Sequence, residues 1–191
     1  MTHNEYIREI KLNLTNDDRT KLVDYATGMN YHEAVRSKYS GIFYSTEVDS
    51  NHKTVKSIIT EFLKEVPDAH NINVRFFKFF PYGTIFPHRD IGDERTNELF
   101  PDHVNDSTFL IPLYPDPVSD MYAPLMFWED DWKKIPFDWF NGEKAAYIVP
   151  KTPNGYIVNL SKIHSIMNHT PFHRYNLQIR FTTKQKDLFN G

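Results

Sequence analysis

The pattern of apolar residues changes near residue 71, and this change limits the folds that the chain can adopt. Before it, apolar residues recur at helical spacing, most clearly at i, i+3, i+4, i+7, i+8 and i+11 from Val55 to Val66. After it, short apolar or alternating runs are separated by Pro, Gly, Asn and Asp, which is typical of strands and turns. Helices first and strands second predict an α+β protein that is mainly β.

Two helices are predicted in the N-terminal part, residues 1–70. The first spans 16–28, because the segment from Thr15 to Asp18 has the pattern of a capping box and apolar residues follow it at helical spacing. The second spans 55–66 and is ended by Pro67, which cannot continue a helix. An edge strand within 5–14 and a short strand at 41–44 complete this part.

Residues 71–183 are predicted to form the strands of the core. The candidate strands are 72–80, 84–89, 107–114, 123–128, 144–149, 155–160, 163–167 and 173–183. About eight strands preceded by helices predict a double-sheet jelly roll, with the helices packed on the outer face of one sheet. At 191 residues without an internal repeat or linker, the chain is expected to form a single domain.

The amino-acid composition limits the metal ligands and the partners that the protein can have. There is no cysteine, so disulfides and thiolate metal sites are excluded and His and carboxylate are the available metal ligands. The net charge of -3 provides no general attraction to nucleic acid, which makes a nucleic-acid partner unexpected. The sequence has neither a signal-peptide pattern nor an uninterrupted apolar run of about 18 residues, so we expect a cytoplasmic protein without membrane insertion.

The last predicted strand alternates regularly between apolar and polar residues. One face carries Tyr175, Leu177, Ile179 and Phe181, and the other carries Arg174, Asn176, Gln178 and Arg180. In an ordinary sandwich the polar face would contact solvent. In a jelly roll whose outer face is covered by helices, the same polar face would instead line the barrel and contact a ligand. The sequence leaves both interpretations open.

A His-x-Asp motif at His88 and Asp90 becomes informative only together with residues far downstream. With nine His and 25 acidic residues in the chain, about one His-x-Asp/Glu motif is expected by chance. A non-haem Fe(II) site of the facial type needs two imidazoles and one carboxylate. His164 lies in an apolar segment that could supply the second imidazole, and Arg174 follows ten residues later. Four residue types in this order and strand context are more specific than the motif alone.

The segment from Gly83 to Asp90, with His164 and Arg174 at their spacing, resembles the Fe(II)- and 2-oxoglutarate-dependent oxygenases. It is most similar to the aspartyl/asparaginyl β-hydroxylase and free-proline hydroxylase branch, over roughly residues 72–183. The resemblance implies a double-stranded β-helix (jelly-roll, cupin-like) fold, with Fe(II) bound by the catalytic residues His88, Asp90 and His164. It implies that Arg174 binds the distal carboxylate of 2-oxoglutarate, a task suited to a planar guanidinium.

The activity implied by this resemblance is the hydroxylation of an unactivated C–H bond. The substrate would be an amino acid or a protein side chain, and O2 and 2-oxoglutarate would be consumed with release of succinate and CO2. Tyr82 or Thr108 could supply a hydroxyl group to the co-substrate carboxylate, although either is as readily a packed strand residue.

Three alternatives accompany this interpretation. The pattern Arg174-x-Asn176-x-x-x-Arg180 is also similar to the AlkB-type nucleic-acid demethylases, which makes Arg180 a second candidate for the co-substrate. His169 could replace His164 as the distal ligand. Finally, a jelly roll of this kind could be a non-catalytic, cupin-like binding protein, because the fold hosts many functions.

Two loops are candidates for lids over the site. The segment 129–143 is acidic and rich in aromatic residues, and it either caps the edge of the core or forms a lid or substrate platform. The polar loop 91–106 is the second candidate, and its Glu94 and Arg95 could contact a zwitterionic substrate.

Overall fold

The computed structural model describes residues 5–33, 42–45, 48–90, 106–113, 125–150, 154–184 and 188–189. Glu94 and Arg95, and with them nearly all of the candidate lid 91–106, lie outside the described residues. Across the ranges given, none of the helices has the length and apolar character that crossing a membrane requires.

The two predicted helices are present, as α1 (Asn16–Thr27) and α2 (Lys53–Glu65). The capping box of α1 is complete, since the Thr15 hydroxyl accepts from the backbone N–H of Asp18 at 3.1 Å and the Asp18 carboxylate accepts from that of Thr15 at 3.1 Å. The apolar stripe of α2 buries Val55, Ile58 and Phe62. Local sequence signals therefore set both helix positions.

The strands follow the predicted pattern. They are β1 (Ile7–Ile10), β2 (Tyr31–Glu33), β3 (Ile42–Ser45), β4 (His70–Phe79), β5 (Thr84–His88), β6 (Asp106–Leu113), β7 (Leu125–Phe127), β8 (Tyr147–Ile148), β9 (Gly155–Val158), β10 (His164–Met167) and β11 (Arg174–Thr182). Strand β2 was not predicted, because its three residues are too few to show a period.

The strands form two antiparallel sheets that together make a jelly roll. The larger has the order β1-β9-β6-β11-β4-β3-β2 and the smaller has the order β5-β10-β7-β8. From β4 onward the chain passes repeatedly from one sheet to the other, with β4, β6, β9 and β11 in the larger sheet and β5, β7, β8 and β10 in the smaller. The predicted jelly-roll architecture is thus confirmed.

The helices cover the outer face of the larger sheet. Leu22, Ala26 and Phe62 form one core with sheet residues that include Phe109 and Leu177. A second core lies between the sheets, and its buried residues are Ile7, Phe79, Leu110, Leu125, Phe127, Val149, Tyr156, Val158, Leu160 and Ile166. Both faces of the larger sheet are therefore covered.

This covering decides the orientation of β11. Its apolar face, represented by Leu177 and Ile179, packs into the core beneath the helices. Since side chains alternate along a strand, the opposite face points into the space between the sheets. Arg174 and Asn176 on that face are only 4% and 2% exposed. The polar residues of the last strand thus line the barrel.

Candidate active site

His88 and His164 are brought together by strand pairing. Strands β5 and β10 are antiparallel neighbours, and His88 lies directly opposite His164 in their register. On the other side of β10, His164 lies opposite Phe127. The two imidazole rings are separated by 4.4 Å between centroids. Two residues that are 76 positions apart in sequence are therefore cross-strand neighbours at the end of the smaller sheet.

A bulge in β5 turns His88 toward the interior. Ile166 pairs with Ile85, whereas His164 pairs with His88, so three steps along β5 match two along β10. Without this irregularity, Ile85 and His88 would point to opposite faces of the sheet. Instead Ile85 packs against the core between the sheets, and the intervening Phe86 is 52% exposed.

Asp90 completes the cluster from just beyond the end of β5. Its backbone N–H donates to the Leu160 carbonyl at 3.1 Å, which anchors it to the segment after β9. Its carboxylate lies 3.3 Å from Nε2 of His88 and 3.8 Å from Nε2 of His164. In the described part of the chain, these three residues are the one group of His and acidic side chains placed to hold a metal ion, with ligand atoms within 4.8 Å of one another.

The hydrogen bonds of the two imidazoles fit metal binding. Nδ1 of His88 lies 2.7 Å from the Phe86 carbonyl, and Nδ1 of His164 lies 2.9 Å from the Lys162 carbonyl. A carbonyl can only accept, so each Nδ1 carries the proton and each Nε2 can present a lone pair. Such outer partners orient metal-binding imidazoles in proteins. Two imidazoles and a carboxylate match the donor set of a non-haem Fe(II) site.

The electrostatic environment keeps Asp90 ionised. Burial of the Asp90 carboxyl acts to raise its pKa. When the imidazoles are protonated, a hydrogen bond from His88 and the positive charges of His88, His164 and Arg180 outweigh this effect. The pKa of Asp90 is consequently held well below its usual range. The carboxylate is available to a cation at any pH at which the imidazoles can also bind.

Arg180 and Thr108 lie inside the barrel at the end where the cluster sits. Thr108 pairs with Arg180 on one side and with Val158 on the other. Two residues after Val158, the carbonyl of Leu160 accepts the hydrogen bond from the backbone N–H of Asp90. Thr108 is 2% exposed. Its hydroxyl lies 3.5 Å from the amide nitrogen of Gln178, which favours a role within the barrel lining.

Arg174 lies at the opposite end of β11, opposite Phe79. It is six positions from Arg180, a distance of about 20 Å along the extended strand. Arg174 is buried, whereas Arg180 is only partly buried. Arg180 thus lies near the metal-binding cluster, and Arg174 lies on the same inward face at the far end of the strand.

The structure does not bring Tyr82 or His169 to the cluster. Tyr82 lies in the turn before β5 with a φ of 58°, and its side chain is 59% exposed. His88 is at the other end of that strand. His169 lies two residues beyond the end of β10, whereas His164 begins it. Burial lowers the pKa of His169. Within the described residues, His169 does not belong to the group of side chains that could hold a metal ion.

The segment 129–143 packs on the outer face of the smaller sheet. It contains two 3₁₀ turns, Trp132–Lys134 and Trp139–Asn141. Trp139 packs with Trp128, Met126 and Ile163 in a third apolar cluster. Trp128 also donates from its indole N–H to the Ser165 hydroxyl at 2.9 Å. This packing favours the capping interpretation of the segment.

Sequence reasoning did not identify Asp130 as part of this region. Its carboxylate lies 3.1 Å from the Arg89 guanidinium and 3.5 Å from the Lys162 ammonium. Arg89 is 41 positions away in sequence. No local sequence pattern predicts either contact, because Asp130 is one of several acidic residues in the segment 129–143.

Comparison with known proteins yields structural but not sequence matches. No protein-family model and no curated protein matches the sequence. A Pseudomonas putida prolyl-4-hydroxylase is similar over 96% of this chain and 94% of its own, with 13% identity and a TM-score of 0.60. The viral collagen prolyl hydroxylase of Paramecium Bursaria Chlorella virus-1, in complex with 2-oxoglutarate, is similar over 94% and 97%, with 14% identity and a TM-score of 0.57.

A third similar structure is HygX from Streptomyces hygroscopicus, with nickel and 2-oxoglutarate bound. It is similar over 94% of this chain and 83% of its own, with 8% identity and a TM-score of 0.62. Identities this low establish the fold alone. The chain has the double-stranded β-helix fold of these 2-oxoglutarate-dependent oxygenases.

Proposed function

We propose that the protein is an Fe(II)- and 2-oxoglutarate-dependent oxygenase. The observation that carries the proposal is the cluster of His88, Asp90 and His164 at one end of a double-stranded β-helix whose interior also contains the buried Arg174. A metal-binding donor set and an interior guanidinium are the two features that this chemistry requires of the protein. Solved structures of the same fold contain nickel and 2-oxoglutarate, which supports the assignment.

Each residue has a distinct role in this proposal. His88, Asp90 and His164 hold Fe(II), and the carbonyls of Phe86 and Lys162 keep the two imidazoles oriented. When bound, the metal supplies oxidation of a substrate C–H bond by O2, coupled to conversion of 2-oxoglutarate to succinate and CO2. Arg174 binds the distal carboxylate of 2-oxoglutarate in the barrel, away from solvent.

The apolar core between the sheets supports the same chemistry by excluding water. Phe127 is fully buried and its ring centroid lies 6.0 Å from that of His164. Ile166, on the next inward position of β10, is 6% exposed. A dry environment strengthens the electrostatic interactions of bound groups and limits side reactions.

Within this class, we assign the protein to the hydroxylases that act on an amino acid or a protein side chain. The Pro87-His88-Arg89-Asp90 context and the ten-residue interval from His164 to Arg174 support this branch. Two of the similar structures are prolyl hydroxylases by description, one of them a collagen prolyl hydroxylase. The substrate is accordingly a small molecule or a protein side chain.

One observation favours nucleic-acid demethylation as the second candidate. Arg174, Asn176 and Arg180 all lie on the inward face of β11, as the resemblance to the AlkB-type enzymes requires. A panel of free amino acids, prolyl peptides and N-methylated oligonucleotides, assayed by succinate formation, separates the two activities. Succinate formed only with methylated oligonucleotides would replace the hydroxylase assignment.

Anaerobic addition of Fe(II) and 2-oxoglutarate tests the proposed site directly. Their joint binding gives a weak visible charge-transfer band, which we expect for the wild-type protein. His88→Ala, Asp90→Ala and His164→Ala are each expected to abolish the band and the succinate release. His169→Ala is the matched control and should retain both. A folded wild-type protein without the band would instead favour a cupin-like binding protein that holds no redox metal.

A further inference from the structure

We propose that Asp130 is a positioning residue that holds the two metal-ligand segments in register, an inference that rests on the proposed function. The ligands come from two separate parts of the chain, the end of β5 and the start of β10. Asp130 belongs to neither part, yet its two carboxylate oxygens contact Arg89, just after β5, and Lys162, two residues before β10. The segment 129–143 would thus have a function beyond capping the smaller sheet.

The first contact acts on the segment that carries His88 and Asp90. Arg89 lies between these two ligands, and its guanidinium is 3.1 Å from Oδ1 of Asp130. The same guanidinium lies 5.9 Å from the centre of the Trp132 ring. Because both neighbours of Arg89 supply ligand atoms, holding its side chain restricts the rotation of the backbone that aims them.

The second contact acts on the segment that carries His164. The Lys162 ammonium lies 3.5 Å from Oδ2 of Asp130 and 2.7 Å from a carboxylate oxygen of Glu5. The carbonyl of Lys162 is the group that accepts from Nδ1 of His164. A fixed Lys162 therefore keeps in place the acceptor that sets the tautomer and orientation of this imidazole.

The positions and charges favour a local role over a role in global stability. Asp130 is 47% exposed and the side chains of Arg89 and Lys162 are each 24% exposed. Partly exposed ion pairs contribute little to folding. The same limit applies to their effect on the relative position of the two ligand segments, which should be small but measurable. Removing the Asp130 charge should consequently weaken metal binding without unfolding the protein.

Titration with Co(II) alone, followed by its visible ligand-field spectrum, tests this inference. Asp130→Asn keeps the shape of the side chain and removes its charge. We expect its Co(II) affinity to fall about two- to fivefold, the range that loss of weak, partly exposed ion pairs allows, with an altered spectrum and an unchanged urea midpoint. Asp130→Glu should restore part of the affinity. At an ionic strength of about 1 M, where the screening length is about 3 Å, the difference between wild type and Asp130→Asn should shrink.

Asp131→Asn is the matched control. Asp131 is the next residue, and its carboxylate accepts from the Lys133 N–H within a 3₁₀ turn at 3.0 Å. We expect its Co(II) affinity to equal that of the wild type. Equal affinities of wild type and Asp130→Asn would overturn the positioning role, as would an equal loss in Asp131→Asn. A folded wild-type protein that binds no Co(II) would overturn the metal site itself, and with it the proposed function.

Discussion

At the scale of single residues, the site depends on charges placed inside the barrel. Asp90 remains ionised because a hydrogen bond from protonated His88 and the surrounding cations outweigh the effect of burial on its pKa. Arg174, at the other end of the interior, brings a second buried charge. A guanidinium in such a place is suited to binding a carboxylate with two parallel hydrogen bonds.

Substitution of Arg174 tests this role. We expect Arg174→Ala to raise the 2-oxoglutarate concentration needed for half-maximal charge-transfer absorbance by about 10- to 100-fold, because a charge-assisted hydrogen-bond pair is lost. Arg174→Lys should be affected less, since it keeps the charge but not the planar fork. The Fe(II) affinity measured without 2-oxoglutarate should not change.

Arg8→Ala is the control for the Arg174 variants. Arg8 is also a largely buried arginine, but it bonds Glu65 at 3.4 Å beneath the helices and has no part in the barrel interior. Its 2-oxoglutarate requirement should match that of the wild type. If Arg174→Ala also matched it, the co-substrate carboxylate would have to be assigned to Arg180.

At the scale of secondary-structure elements, both the hydrogen bonding and the close packing of strands position the site. The bulge in β5 turns His88 inward, and β9 carries the chain to Leu160, whose carbonyl anchors Asp90. Strand β9 begins at Gly155, which lies against the ring of Phe109 on the neighbouring strand β6. A Cβ atom on Gly155 would lie 2.3 Å from Cζ of Phe109 and 3.0 Å from Cγ1 of Ile111.

Gly155→Ala is therefore expected to destabilise the protein. Phe109 is fully buried and cannot move without disturbing the core, so the added methyl group should lower the free energy of unfolding by about 1–3 kcal/mol. Gly28→Ala is the control, because its φ is -80° and a Cβ there would approach no atom closer than 3.7 Å. Urea denaturation of both variants measures the difference, and equal stabilities would contradict the packing argument.

At the scale of the whole molecule, the helices and the barrel share one core. Phe62 of α2 is fully buried, and its ring lies 5.2 Å from that of Phe109 and 4.8 Å from that of Phe181. The N-terminal part thus completes the outer face of the sheet whose inner face lines the site. We expect residues 1–70 and 71–183 to unfold together, as a single domain.

Phe62→Ala tests this coupling. Loss of the ring should lower the free energy of unfolding by about 3–5 kcal/mol. The helices can be followed by circular dichroism and the barrel by tryptophan fluorescence, since all three tryptophans, Trp128, Trp132 and Trp139, lie in the second part. Both signals should shift to the same lower urea midpoint. A barrel transition that stays at the wild-type midpoint would show two independent units.

The sequence alone determined the features that depend on neighbouring residues. The capping box at Thr15, the apolar stripe of α2 and the alternation of β11 are local patterns, and each predicted its element. The order of His88, Asp90 and His164 also identified a plausible donor set. These patterns state which residues share a face or could bind a metal, but not which face is inside or which strands pair.

Tertiary structure decided the rest, because long-range packing sets register and burial. Only the pairing of β5 with β10, with its bulge, places His88 against His164. Only the helices over the larger sheet turn the polar face of β11 inward, where Arg174 is buried. The bridge from Asp130 to Arg89 and Lys162 joins three distant segments and has no local pattern.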